Sequence, residues 1–249
     1  MIAVMNQKGG VGKTTTTFNL AHALSMTNKR VLAIDLDPQA HLTASFGIDT
    51  HSHPGIDEVM MRNASLSDVK LKVRDNISLI PAGPSLAEFD QVKEGGSQRG
   101  WYLKKILSRV RGSDIVLVDC PPSAGLLTMN ALLAAKEMLI PVSGDYLALH
   151  GLSRLMGILK NIESRLQRQT KKWVVVTRFH ERRRLAREVR DKLLQHFPGQ
   201  VLATPIRESV ALAESPSFAK TIFEYKQHSN GAQDYTDLAD DLLSGRTFK

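Results

Sequence analysis

The stretch Ile2-Ala3-Val4-Met5-Asn6-Gln7-Lys8-Gly9-Gly10-Val11-Gly12-Lys13-Thr14-Thr15 decides the fold. Ile2 to Asn6 is a short apolar run, and three glycines follow within four positions. From Thr14 to Met26 the apolar residues Phe18, Leu20, Ala21, Ala23 and Leu24 share one broad helical face. Strand, glycine-rich turn and helix, in that order, form the setting of a phosphate-binding loop. Gly9, Gly10 and Gly12 let the backbone curl so that successive N–H groups, Val11 among them, face one concavity. The helix N-terminus adds partial positive charge there. Lys13 is placed to reach β- and γ-phosphates, the Thr14 hydroxyl to ligate Mg²⁺, and Thr15 to donate to an α-phosphate. A strict phosphate-loop pattern has Gly at the position of Gln7, which leaves a glycine-rich turn with an incidental lysine as the alternative.

Working outward, Arg30-Val31-Leu32-Ala33-Ile34-Asp35-Leu36-Asp37-Pro38-Gln39 reads as a buried parallel strand with acids at its carboxyl edge, where open α/β sheets bind ligands. Phosphoryl transfer to water needs a group to position the nucleophile and Mg²⁺ to neutralise phosphate charge. Asp37 suits the first role and Asp35 the support of the metal shell; a turn or helix-capping aspartate is the bland alternative for Asp37. Asp114-Ile115-Val116-Leu117-Val118-Asp119 repeats the design, with Asp119 placed to hold Mg²⁺ through water, and Pro121-Pro122 stiffens the loop that follows. Cys120 is expected to be a small buried side chain rather than a reactive one.

The string Lys8 to Thr14 resembles the deviant Walker A motif of the ParA/MinD family of ATPases. Asp35 to Gln39 is similar to that family's second acidic motif, and Asp119-Cys120-Pro121-Pro122-Ser123-Ala124-Gly125 to Asn130 is similar to its switch region. The resemblance implies that Lys8 crosses a homodimer interface to the nucleotide of the other subunit, and that Asp37 activates water. Thr204-Pro205-Ile206-Arg207 with Glu214 to Thr221 resembles the C-terminal block, which implies that Pro205 or Ile206 borders the adenine. The chain departs from the family pattern at His150, where Glu is usual and a helix-surface histidine is expected, and at Ala219, where Gly is usual. Residues 50–110 are the least diagnostic part; Gly95-Gly96-Ser97 reads as a loop and Trp101 to Val110 as a helix.

The composition is ordinary for a globular chain of 249 residues except for its formal charge of +8. Residues 165–192 hold eleven Lys and Arg against three acids, which accounts for the whole excess. There the strand Lys172 to Phe179 precedes a helix whose Leu185, Val189, Leu193 and Phe197 form an apolar stripe, with Arg183, Arg187 and Arg190 opposite. Arg182, Arg183, Arg184, Arg187 and Arg190 can track a phosphate backbone without reading bases. With no zinc-finger spacing and no aromatic stacking series, sequence-specific recognition is not expected. The resemblance implies the same: an ATP-bound dimer on nonspecific duplex DNA. A solvated face is the competing account of the cluster.

The opening lacks the zones of a signal peptide, no run of about 18 apolar residues is present, and one cysteine supports no disulfide, so a cytoplasmic, nucleoid-associated protein is expected. The segment Tyr235 to Leu243 carries acids on its polar positions, which disfavours membrane attachment of the MinD kind. The expectation is a single ParA-type ATPase domain over residues 1–249, of α/β class with a mostly parallel twisted sheet flanked by helices. It would use ATP and Mg²⁺, act as a homodimer that segregates or positions cargo, and answer to a ParB-like activator. A MinD-like positioning ATPase and a P-loop ligase of the dethiobiotin synthetase type are the alternatives.

Overall fold

In the computed structural model, residues 1–91, 96–145 and 148–248 are described, and side chains 96, 97 and 148–151 lie outside that description. Seven strands form one sheet: β1 (Ile2–Val4), β2 (Val31–Asp35), β3 (Leu71–Arg74), β4 (Ile77–Ile80), β5 (Ile115–Asp119), β6 (Glu137–Ser143) and β7 (Lys171–Thr177). Their order is β3-β4-β2-β5-β1-β6-β7, and every neighbouring pair is parallel except β3 with β4. The central strands are short, fully buried apolar runs, as sheets covered on both faces require.

Alternation along the strands divides the core in two. Ile2, Val4, Val31 and Ala33 meet Phe18, Leu20 and Leu24 of the helix Lys13–Met26 and Tyr235 and Leu238 of the helix Asn230–Ser244. Ala3, Met5, Leu32 and Ile34 belong to the other layer, with Leu127, Leu155, Leu159, Val189 and Leu193. The mostly parallel sheet flanked by helices agrees with the expected class.

Two sequence expectations change, and one strand is new. β3 has no counterpart in the apolar runs, because Leu71-Lys72-Val73-Arg74 is a half-buried edge strand in which Arg74 pairs with Glu224. The helix expected over Trp101 to Val110 is shorter, Tyr102–Leu107, preceded by a tighter 3₁₀ turn over Gly96–Trp101; Gly95 lies outside the described residues. In the helix Arg184–His196 the inward stripe is Ala186, Val189 and Leu193, while Leu185 is exposed.

The basic cluster also divides. β7 spans seven residues, about 23 Å at 3.3 Å per residue. Lys171 and Lys172 stand at its start, where Lys172 pairs with Glu163 at 2.7 Å, Lys171 lies over the Trp173 ring and Arg168 donates to the Ala135 carbonyl. Arg178 and the following arginines lie at its far end, the carboxyl edge of the sheet.

Ala219 stands in the left-handed region at φ 52°, and the Cβ of a residue at Gly47 would fall 2.9 Å from its own. The usual Gly is therefore explained: the turn after Phe218 needs a conformation in which a Cβ is costly. Ala219→Gly is expected to raise stability by about 1 kcal/mol in urea unfolding, with the m-value unchanged.

Candidate nucleotide site

Parallel pairing delivers the acids to one place. Asp35 lies opposite Asp119 in the β2–β5 register, and Val4, the last residue of β1, lies opposite Asp119 from the other side. The loop after β1 therefore starts beside both carboxylates. Gly10 and Gly12 take φ of 74° and 85°, which any side chain would strain, and Gly9 and Gly10 face open space. The loop is braced from beneath. The Thr177 hydroxyl donates to the Val11 carbonyl at 2.8 Å, and Asn6 accepts from the Lys8 N–H while donating to the Pro141 carbonyl.

Inside the turn Lys13 is buried, its ammonium 3.4 Å from the Lys8 carbonyl. Burial lowers its pKa, and Asp119 and Asp37 oppose that shift. The Thr14 hydroxyl donates to Asp119 Oδ2 at 2.7 Å, and Thr17 reaches the other oxygen at 3.4 Å. Thr15 is half-buried at the start of the same helix. Burial pushes the Asp119 carboxyl well above its ordinary range, and the neighbouring Asp35 adds to the shift.

Asp35 is fully engaged. Oδ2 accepts from the Thr43 N–H at 2.8 Å and hydroxyl at 2.7 Å, and Oδ1 from the Asp37 N–H at 3.2 Å. Asp35 thereby fixes the segment that carries Asp37 and has no oxygen left without a donor. Asp37 is almost buried, and its Oδ1 accepts from the Gln39 N–H at 3.0 Å. The turn that this bond closes holds the Asp37 carboxylate at the carboxyl edge.

Lys8 ion-pairs with Asp145, which also accepts from Ser143 Oγ at 2.6 Å. Asp145 was not singled out from the sequence, although its position two residues past the end of β6 puts it at the ligand-binding edge by the same rule that selected Asp37 and Asp119. Thr17 escaped for another reason: its partner Asp119 is 102 residues away in sequence. Pro205 and Ile206 run beside the end of β7, where the Ile206 N–H donates to the Val176 carbonyl and its carbonyl accepts from Phe179. The Ile206 side chain is buried in the core, so Pro205 and the backbone are what this segment offers a base.

The structure separates the five arginines. Arg182, Arg183, Arg184 and Arg187 are exposed around the start of their helix, at the same sheet edge as the phosphate loop. Arg183 pairs with Glu208 at 3.1 Å, Arg184 with Glu188 at 2.7 Å, and Arg187 donates to the Glu181 carbonyl. Arg190 is instead half-buried between the Phe179 and Phe248 rings and pairs with Asp191. Cys120 is buried with its thiol pKa pushed up, as expected of an unreactive side chain. The His150 side chain lies outside the described residues.

Among the described residues no group of three or more His, Cys, Asp or Glu could hold a metal. That suits Mg²⁺, which is usually bound by one or two carboxylates together with substrate phosphates. The Thr14 hydroxyl and the buried Asp119 carboxylate are oxygen donors of the kind that ion takes.

A family model described as an AAA domain (AAA_31) matches residues 1–172. The chain is 37% identical over 248 residues to the sporulation initiation inhibitor protein Soj of Bacillus subtilis, covering 98% of each. It is 38% identical over 244 residues to the chromosome-partitioning ATPase Soj of Thermus thermophilus, covering 98% of this chain and 95% of the relative. Among solved structures it superposes on cobyrinic acid a,c-diamide synthase from Mycobacterium smegmatis with bound ADP and magnesium. There the TM-score is 0.84 at 30% identity, covering 100% of this chain and 98% of that one. It shares its fold with an ATP complex of McdA from Cyanothece at a TM-score of 0.85 and 21% identity, over 100% and 97% of the two chains. No described helix is long and apolar enough to cross a membrane.

The buried acids carry a pH signature. Burial raises the Asp35 pKa from 3.8 to about 6, so the folded chain binds a proton that the unfolded chain has lost between those values. Stability contributed through Asp35 therefore increases as pH falls from about 6 towards 4, opposite to an ion-paired carboxylate. In urea unfolding without nucleotide, the wild type is expected to gain stability relative to Asp35→Asn between pH 7 and pH 5.

Proposed function

The chain belongs to the ParA/Soj family of deviant Walker A ATPases, and from that premise we propose an ATP-hydrolysing switch that binds nonspecific duplex DNA in its ATP state. The observation that carries the reading is the sharing of one sheet edge. The cradle of Gly9, Gly10, Val11, Gly12, Lys13, Thr14 and Thr15 lies there with Asp37, Asp119 and four exposed arginines. Residues 1–249 act in this reading as one ATPase domain.

Lys13 and the loop N–H groups hold the phosphates of ATP, and Pro205 with the Ile206 backbone borders the base. Mg²⁺, held by Thr14 and Asp119 with Asp35 behind them, supplies charge neutralisation on the phosphates. Asp37 orients the attacking water and accepts its proton. Lys8 must exchange its Asp145 partner for the nucleotide of a second subunit, which makes closure of the homodimer a test of whether ATP is present. Closing the dimer brings two sets of Arg182, Arg183, Arg184 and Arg187 onto one composite surface, and hydrolysis dissolves it. The cycle positions or segregates a cargo over the nucleoid, with a ParB-like protein accelerating the slow step. The relatives that are partition proteins support this choice over a ligase, for which neither Lys8 nor the arginine edge has a use.

Gel shift with nonspecific duplex DNA is expected to show binding only with ATP and Mg²⁺; equal binding without nucleotide would refute the switch. Replacing Arg182, Arg183 and Arg187 by Glu is expected to abolish that binding and leave ATP-dependent dimerisation intact. Single Ala variants should lower the slope of log K against log salt by about 0.9 per lost phosphate contact. Asp37→Ala is expected to slow turnover on the order of 10²-fold or more and to retain an ATP-bound dimer on DNA. Turnover unchanged in that variant would assign the water to another group.

A further inference from the structure

The acids of the C-terminal helix are not all solvated. Asp241 is fully buried and Asp234 nearly so, seven residues apart on the face of Asn230–Ser244 that also carries Tyr235 and Leu238. Each carboxylate grips a different end of the segment that holds Pro205 and Ile206. Asp241 Oδ2 accepts from the Thr204 N–H at 2.7 Å, and Asp234 Oδ2 accepts from the Arg207 N–H at 2.9 Å. Each is neutralised by an arginine: Arg207 folds back on Asp234 with Nε at 2.9 Å, and Arg246 pairs with Asp241. Between the two grips the Ile206 N–H is already spent on Val176 and the Ile206 carbonyl on Phe179. The same helix touches the phosphate-loop helix through Tyr235 Oη, 3.3 Å from Thr16 Oγ1.

The geometry points to Asp234 and Asp241 as positioning residues that set the base-side wall of the nucleotide site and thereby its preference for adenine over guanine. The inference rests on the assignment of Pro205 to the base. Proline has no N–H, so its backbone offers a base only a carbonyl acceptor. That group matches the exocyclic amino group of adenine and meets the oxo group of guanine as one acceptor facing another. Such discrimination works only if the carbonyl cannot retreat, because a loop free to relax would turn away or admit water. Two buried carboxylates, clamping the backbone on either side of Pro205 from a single rigid helix, deny it that freedom.

Equilibrium binding of ATP and of GTP to the full chain with Mg²⁺ tests this, together with amide hydrogen exchange at Thr204 and Arg207. The wild type is expected to prefer ATP by about tenfold or more, the scale set by one well-placed hydrogen bond. Asp234→Asn and Asp241→Asn should weaken ATP binding and leave GTP nearly unchanged. They should also raise KM for ATP with kcat kept, and speed exchange at the gripped amide. Asp234→Glu and Asp241→Glu, which keep the charge and shift the carboxylate by one methylene away from its gripped N–H, carry the test with the same expected outcome if the Asn variants fail to fold. A general loss of structure would weaken ATP and GTP alike, and that result overturns the inference. A wild-type preference that survives every folded variant overturns it alone. Absence of any preference in the wild type overturns the assignment of Pro205 to adenine as well.

Discussion

Asp35 and Asp119 face each other on adjacent parallel strands at the centre of the sheet, both out of contact with water. Two like charges so placed are unfavourable, and the structure shows how the surroundings are built around that cost. Asp35 is satisfied by three donors from Thr43 and Asp37, which fixes the chain that leaves β2. Among the described residues Asp119 takes its short bond from Thr14, with Thr17 more distant, so it keeps capacity for a cation. The asymmetry separates two acids that look alike in sequence. One is consumed in shaping the segment that presents Asp37, and the other faces Thr14 and the buried Lys13 at the phosphate loop. Lys13, buried beside them, is a positive charge the chain itself supplies, and its pKa is lowered by the same burial that raises theirs. A polyphosphate with a divalent cation would balance this arrangement.

Much of this was visible in the sequence because the responsible residues are close together or occupy strand ends. Buried parallel strands write themselves as unbroken apolar runs, so β1, β2 and β5 and their terminal acids could be located from Ile2 to Val4, Val31 to Asp35 and Ile115 to Asp119. What escaped depended on contacts between distant parts. β3 has no apolar run because it is only half-buried, with Lys72 and Arg74 alternating with Leu71 and Val73. Leu185 is the natural start of a stripe at helical spacing, yet the smaller Ala186 turns inward with Val189 and Leu193 and Leu185 stays exposed. Asp241 reads as one more polar position on the last helix, because nothing local says that Thr204 will supply an N–H thirty-seven residues away.

The charge is the instructive case. Counting along the chain gathers eleven cations into residues 165–192, but β7 runs through the middle of that interval and carries its two ends to opposite edges of the sheet. Arg168, Lys171 and Lys172 are absorbed locally, by a carbonyl, a tryptophan ring and Glu163. Arg190 is drawn between two phenylalanines, where its guanidinium stacks rather than reaching out. The face left for a polyanion is smaller than the count implies, and its position is sharper. It comprises the arginines around the start of one helix, on the edge where the strands end.

That placement bears on how a nucleotide could control a polyanion surface at all. Electrostatic attraction to phosphates is weakly directional and screened over about 10 Å at 0.1 M salt, so four arginines on one monomer cannot by themselves be switched off. What can be switched is their number on one surface, because affinity for duplex DNA climbs steeply with the count of neutralised phosphates. A basic face at the edge that also carries Lys8 and the phosphate loop is in the right place for such a device. In the proposed dimer, two copies joined across that edge would double the cations that a duplex meets together, and Lys8 would have to leave Asp145 to take part.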